Sequence, residues 1–244
     1  MVDKPIYRKK HTDQVWGCEY SEVVGYSWPS NIRACHVKVN QVSSLSIQLT
    51  SEVLNTSWMM ELDAGSRRAY DKTVKETAEA LVKVFQNTTT PTEVGSEFGE
   101  IMVSIGSTKA LEILFDHHIL PISELWKPQV KQNEGFDFHT MCLDNIINFG
   151  EAKFSAKKNP HGKAIDQASG FIEDEKHLRD RVHLVNLLPE KAINNLDHDT
   201  FGVVVSFSIN AQDPLNILKN AIDRAEEKLG SQRIKSIYLV GVSQ

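Results

Sequence analysis

Cysteine is scarce in this chain and badly spaced for a cross-linked or zinc-bound scaffold. Cys18, Cys35 and Cys142 are odd in number and no CxxC pair occurs, which argues against a disulfide framework or a thiolate zinc site and suits a reducing compartment. Long apolar runs are missing too. Nothing approaches the roughly 18 residues of a membrane span, and MVDKPIYRKK leads into polar sequence rather than a signal-peptide core. The expected location is the cytoplasm, with no membrane contact. Nor is there an excess of positive charge: 27 Lys and Arg against 32 Asp and Glu leave −5. A nucleic-acid role would have to rest on a local basic patch or on a partner. Repeats and low-complexity tracts are absent as well.

What is present is a chain of 244 residues, 41% hydrophobic, enough to bury a full core. IRACHVKVN (32–40) and SLSIQLT (44–50) alternate as half-buried strands do, and Tyr70, Val74, Ala78, Leu81, Val82 and Phe85 predict an amphipathic helix over 66–86. The polar stretch QNTTTPT (86–92) reads as a linker. It divides an N-terminal extension of strands plus helix (1–90) from a larger domain (91–244). There Val94, Phe98, Ile101, Met102 and Ile105 form another helical stripe, which Gly106 is expected to end or kink before a further helix near 108–119. A helix from about 162 and a buried strand FGVVVSFSI (201–209) follow. Asp213 as N-cap, Pro214 at the first helical position and Gly230 past the end bracket a helix, and IKSIYLVGV (234–242) closes as a strand. Strands alternating with helices predict an α/β fold with a mixed sheet.

The stretch GFDFHTMCLDNIINFGEAKF (135–154) is anomalous, because Asp137, Glu151 and Lys153 interrupt runs otherwise built for burial. It suits a β-hairpin turning at Asp144-Asn145. Asp137 lies seven residues before Asp144 and Glu151 seven after, so a loop centred there sets the two carboxylates across the ladder about 5 Å apart. Lys153 shares the face of Glu151. Two carboxylates so disposed suit a divalent cation.

An acidic helix, an Asp opening a hairpin, Glu-x-Lys on its second strand and a following helix resemble the PD-(D/E)XK nuclease superfamily, with Phe136 where that name has Pro. More narrowly, SEFGEIM (96–102), GFD (135–137) and GEAKF (150–154) look like the nuclease-subunit family, HamA, of the Hachiman anti-phage defence system, which works with a helicase subunit of the HamB type. The resemblance spans roughly residues 66–200. It implies a restriction-endonuclease-like core, a mixed sheet flanked by helices, with the N-terminal α+β extension added to it. It implies a Mg²⁺- or Mn²⁺-dependent deoxyribonuclease acting in antiviral defence. Asp137, Glu151 and the Ala152 carbonyl would hold the metal; Lys153 would orient or deprotonate the attacking water, helped by the low pKa of a desolvated lysine. Glu100 would be the helical carboxylate, with Glu97 as the fallback.

KFSAKKNPHGK (153–163) carries four lysines and no acid, so Lys157, Lys158 and Lys163 suit DNA phosphates, and Gln167 resembles a glutamine of RecB-like members on the helix after Glu-x-Lys. Blander readings stand beside these. Glu151 and Lys153 also fit a same-face ion pair, Glu97 and Glu100 a solvated helix face, and the lysines a solvated loop. His117, His118 and His139 show no ligand spacing with any cysteine. The alternative function is a non-catalytic module that keeps the nuclease-like fold to bind DNA or a partner protein.

Overall fold

The segments GVVVSFSI and SIYLVGVS are apolar at nearly every position, the pattern of strands covered on both faces, and they form the middle of one sheet. In this computed structural model, which describes residues 4–25, 27–87, 95–127, 135–230 and 232–244, the strands are β1 (Ile6–Asp13), β2 (Cys18–Val24), β3 (Ile32–Val39), β4 (His118–Ile119), β5 (Phe138–Met141), β6 (Ile147–Lys153), β7 (Gly202–Ile209) and β8 (Ser236–Ser243). Their order is β1-β2-β3-β8-β7-β6-β5-β4. The four central strands β3, β8, β7 and β6 run parallel, and antiparallel strands finish both edges. The fold is α/β, an eight-stranded mixed sheet flanked by helices.

The helices are α1 (Val42–Leu54), α2 (Ala64–Asn87), α3 (Ser96–Phe115), α4 (Ser123–Trp126), α5 (His161–Glu173), α6 (Lys176–Leu184), α7 (Glu190–Asp197) and α8 (Pro214–Leu229), with a 3₁₀ turn at Ser57–Glu61. Phe115 at the end of α3 packs on Tyr238, and Leu218 of α8 closes on Gly241. Since 238 and 241 point to opposite faces of β8, α3 covers one face and α8 the other. α8 opens as expected: the Asp213 side chain accepts from Asn216 N at 3.2 Å, ahead of Pro214. Among the described residues no helix is long and apolar enough to cross a membrane.

Three expectations are corrected. SLSIQLT is not a strand but lies within α1. Leu45 and Leu49 satisfy a period of two and of four alike; Val53 extends the period of four, all three are buried, and Ile47 is left 66% exposed. Gly106 does not end α3, because the buried stretch from Phe98 to Leu114 holds the helix against the sheet, outweighing the roughly 1 kcal/mol that an interior glycine costs. The helix expected at 108–119 is therefore the second half of α3, closed by Asp116 in the left-handed region (φ 56°), with 118–119 extended. The expected linker lies beyond Asn87 outside the described residues, as does Val94; Gln86 and Asn87 still belong to α2. The stripe from Val74 to Phe85 on α2 is buried as predicted. The sheet itself runs through the boundary expected at residue 90, since β3 pairs with β8 from Ile32↔Ile237 to Lys38↔Ser243.

Two buried histidines brace this sheet. His36 on β3 bridges Tyr7 Oη at 2.8 Å and Ser243 Oγ at 2.9 Å, joining β1, β3 and β8. His117 meets Thr140 Oγ1 at 2.9 Å and stands edge-on to Tyr238, with ring centroids 4.7 Å apart. Burial pushes both imidazoles down to about 4, with Lys38 and Arg33 respectively adding to the effect.

Candidate active site

The hairpin turns at Asp144-Asn145, with Asn145 in the left-handed region (φ 59°) and its amide bonded to Cys142 O. Pairs from Met141↔Ile147 to Phe138↔Gly150 fix the register, and the ladder ends there, one residue short of Asp137 and Glu151. Asp137 N donates to Gly150 O at 2.8 Å, and Asp137 Oδ2 accepts from Ala152 N at 2.7 Å. At Asp137 the amide thus turns to Gly150 and the carboxylate to Ala152; the counting argument from Asp144 holds as far as the pair Phe138↔Gly150. Gly150 makes room for it: a Cβ there would lie 2.3 Å from the fully buried Phe138 ring. Gly150→Ala is expected to cost about 1–3 kcal/mol, read as a fall of several degrees in the melting temperature.

Glu151 sits at the C-terminal end of β6, 0% exposed. Lys153 Nζ lies 2.7 Å from its Oε1, and among the described residues no other donor reaches either carboxylate oxygen. Burial, then the charge of Asp137, pushes the Glu151 carboxyl well above the ordinary range against the pull of Lys153. Asp137, half-buried, is pushed up to about 6 by burial, opposed by the Ala152 amide and Lys153. Lys153 departs from the expected low value. Burial pulls it down, but Glu151, Asp137 and Glu100 together hold it above the usual lysine range, so it is a firmly protonated ammonium.

Glu100 is exposed on the first turns of α3, and its charge acts on Asp137, Glu151 and Lys153. Glu97 is not among the principal charges on any of them. Gly99, just before Glu100, lets α3 approach the end of β6: a Cβ there would lie 2.2 Å from the Phe154 ring.

Lys157, Lys158 and Lys163 are exposed, and their side chains make no ion pair among the described residues. The first two ride on a loop fastened to the end of β7. Asn210 Nδ2 donates to Ser155 O and Lys158 O at 2.8 and 2.7 Å, Ser208 Oγ bonds both Ser155 N and O, and Ser155 Oγ accepts from Lys157 N and Lys158 N. Gln167 is half-buried on α5, with no hydrogen bond to the carboxylates among the described residues.

Sequence reasoning missed a third carboxylate, Glu124 on α4. Its Oε2 is buried without a hydrogen bond, and burial followed by the charge of Asp137 pushes its pKa up to about 7. It also missed Lys127, just past α4, whose charge acts on Asp137, and its ion-pair partner Asp180 on α6. The signal was present in PISELWK, where Glu124 and Lys127 interrupt an apolar run just as Asp137 and Glu151 do. As their side chains stand, no three His, Cys, Asp or Glu groups among the described residues converge tightly enough to cage one ion. The donor set nonetheless fits a hard cation. Buried carboxylate oxygens without donors at Glu151 and Glu124 are satisfied by a positive charge and by nothing else nearby except Lys153.

No family model, curated protein or solved structure matches the chain.

Proposed function

We propose that the chain is a metal-dependent nuclease with a restriction-endonuclease-like core, hydrolysing phosphodiester bonds in DNA. The observation that carries this reading is Glu151: a fully buried carboxylate 2.7 Å from Lys153 and within reach of the charge of Asp137, at the C-terminal end of a parallel strand. That is the end of an open α/β sheet where ligands bind.

Asp137 and Glu151 would hold Mg²⁺ or Mn²⁺, with the Ala152 carbonyl and Glu100 completing the set. When bound, the cation supplies charge stabilisation for a phosphate and activates water near neutral pH. The rest falls to the chain's own residues. Asp137 spends Oδ2 on the Ala152 amide, which fixes its carboxylate against the Glu-x-Lys strand. Lys153, held protonated, donates to an attacking water or a non-bridging phosphate oxygen and orients it. Without a cation the carboxylates around it hold its pKa above the lysine range. Lys157 and Lys158, on a loop already fastened to β7, would steer the DNA backbone.

The resemblance in sequence suggests the setting, an effector of bacterial anti-phage defence that works with a helicase. The charge agrees: at −5, with one short basic segment, the chain should bind duplex DNA weakly alone at physiological salt. The purified chain with millimolar Mn²⁺ or Mg²⁺ is expected to degrade plasmid DNA, faster with its helicase and ATP. Cleavage that survives EDTA would remove the metal-dependent reading. Separately, a cation that binds only the folded state stabilises it, by about 2.7 kcal/mol at a hundredfold excess over Kd. Mn²⁺ is therefore expected to raise the melting temperature of wild type and not of Asp137→Ala, measured by calorimetry; equal shifts in both proteins would count against the site.

A further inference from the structure

Beside the candidate site lies a buried polar network that the proposed chemistry does not use. On one side of it Lys127 Nζ donates to Phe136 O at 2.8 Å and lies 2.8 Å from the Asp180 carboxylate. On the other, Asp180 Oδ2 meets His139 Nε2 at 2.9 Å, and His139 Nδ1 meets Ser123 Oγ at 3.2 Å. An ionised carboxylate only accepts, so Nε2 carries the proton and Nδ1 accepts from the Ser123 hydroxyl. Ser123 N in turn donates to Asp137 O at 3.0 Å. The set has the membership of a hydrolytic triad, but Ser123 and His139 are 3% and 0% exposed, so no substrate reaches the serine. Asp180 is buried too, and the network reaches Phe136 O through Lys127 Nζ and Asp137 O through the Ser123 amide.

We infer that Asp180, on α6, is a positioning residue for the cation site, acting through Lys127 and through His139-Ser123 on the backbone of Phe136 and Asp137; this rests on the nuclease reading. The logic is that of any ligand braced from behind. Asp137 comes just before the ordered ladder of β5, where strand pairing alone leaves one end loose. Lys127 holds the peptide before it and Ser123 the carbonyl of Asp137 itself, while Ala152 N holds its carboxylate. Asp180 draws both donors together, since it is the partner of Lys127 and, through His139, of Ser123. Gly135 belongs to the same device: a Cβ there would lie 3.0 Å from Lys127 Nζ and 3.5 Å from Asp180 Oδ1, so the chain passes close over the ion pair on its way to Asp137.

Asp180→Asn and Lys127→Met test this in the full-length protein, with Lys127→Arg as the charge-keeping variant and Leu218→Ala, in the core between α8 and β8, as a control for lost stability. Mn²⁺ affinity is read by titration calorimetry and by the Mn²⁺ concentration giving half-maximal cleavage. Loss of such a brace is expected to weaken Mn²⁺ binding about 10–100-fold and to raise the half-maximal concentration alike, with less effect at saturating Mn²⁺. Lys127→Arg should stay near wild type, and Leu218→Ala should lower the melting temperature without moving the affinity. Wild-type affinity in folded Asp180→Asn or Lys127→Met overturns the inference, as does an equal loss in Leu218→Ala. If one of the two fails to fold, the other decides. A wild type that neither binds Mn²⁺ nor cleaves DNA overturns the nuclease reading and this inference with it. A wild type that binds and cleaves beside unaltered variants overturns the inference alone.

Discussion

Glu151→Gln is expected to abolish cleavage while raising the melting temperature of the metal-free protein. The two effects have one cause. Glu151 is wholly buried, its carboxylate meets no donor but Lys153, and burial with the charge of Asp137 pushes its pKa up, so in the absence of a cation its charge is a cost that the rest of the fold carries. Replacing the carboxylate by a neutral amide of the same shape removes that cost. A gain of about 1–2 kcal/mol is reasonable for a buried charge so poorly compensated, or roughly 2–8 °C for a chain of this size. Activity moves the other way, because the amide cannot hold a divalent cation; a loss of about 10³-fold corresponds to roughly 4 kcal/mol of transition-state stabilisation. Melting curves in EDTA and plasmid cleavage in Mn²⁺ read the two arms. A variant that is less stable than wild type in EDTA, or that cleaves normally, would mean Glu151 is an ordinary strand ion-pair partner of Lys153.

Acid should destabilise this protein as pH falls through the histidine range. His36 and His117 are buried neutral at about 4 in the fold against an ordinary value of 6.5. A folded-state pKa that is depressed means that unfolded chains take up protons the folded chain refuses, so stability is full above the unfolded value and is lost as pH falls from about 6.5 through 4. Each shift of roughly 2.5 units is worth about 3 kcal/mol at the acid end, and His161, His177 and His183 are depressed in the same direction by burial. The carboxyls of the candidate site oppose this. Asp137 and Glu124, raised to about 6 and 7, and Glu151, raised well above its ordinary value, contribute stability that is full below the ordinary carboxylate range and is lost as pH rises through the folded values. The histidines outnumber them. Denaturant midpoints measured from pH 8 to pH 4 are expected to fall, and His117→Gln, which keeps a neutral polar side chain beside Thr140, should flatten part of the fall. A flat profile would mean that the imidazoles gain protons within the fold without cost.

The hairpin register was legible because one short signal, Asp144-Asn145, fixes a whole ladder: once Asn145 takes the left-handed turn position, the pairing of Phe138 with Gly150 follows by counting. Glu151 and Lys153 were legible as charges inside a run that should be buried. The basic loop was legible in composition but not in form, since nothing in KFSAKKNPHGK foretells that Asn210, some fifty residues on, holds it to β7. The rest was hidden for other reasons. α4 is four residues long, too short to leave a period, so Glu124 and Lys127 had no element to belong to. Asp180 lies between Arg179 and Arg181, where it reads as a solvated helix face; only the packing of α6 beside β5 turns it inward. SLSIQLT misled because Leu45, Ile47 and Leu49 fit a strand as well as one turn of helix.

The pairing of β3 with β8 has a consequence for any attempt to isolate the residues that carry the candidate chemistry. A fragment beginning after residue 90 would keep β8 but strip it of seven paired neighbours, Ile32 to Lys38. It would present a row of unsatisfied amides and carbonyls, with Leu239, Val240 and Val242 alongside, as a template for any passing strand, including its own copies. β3 thus seals that side of β8, and the strands before residue 40 belong to the same sheet as the candidate site.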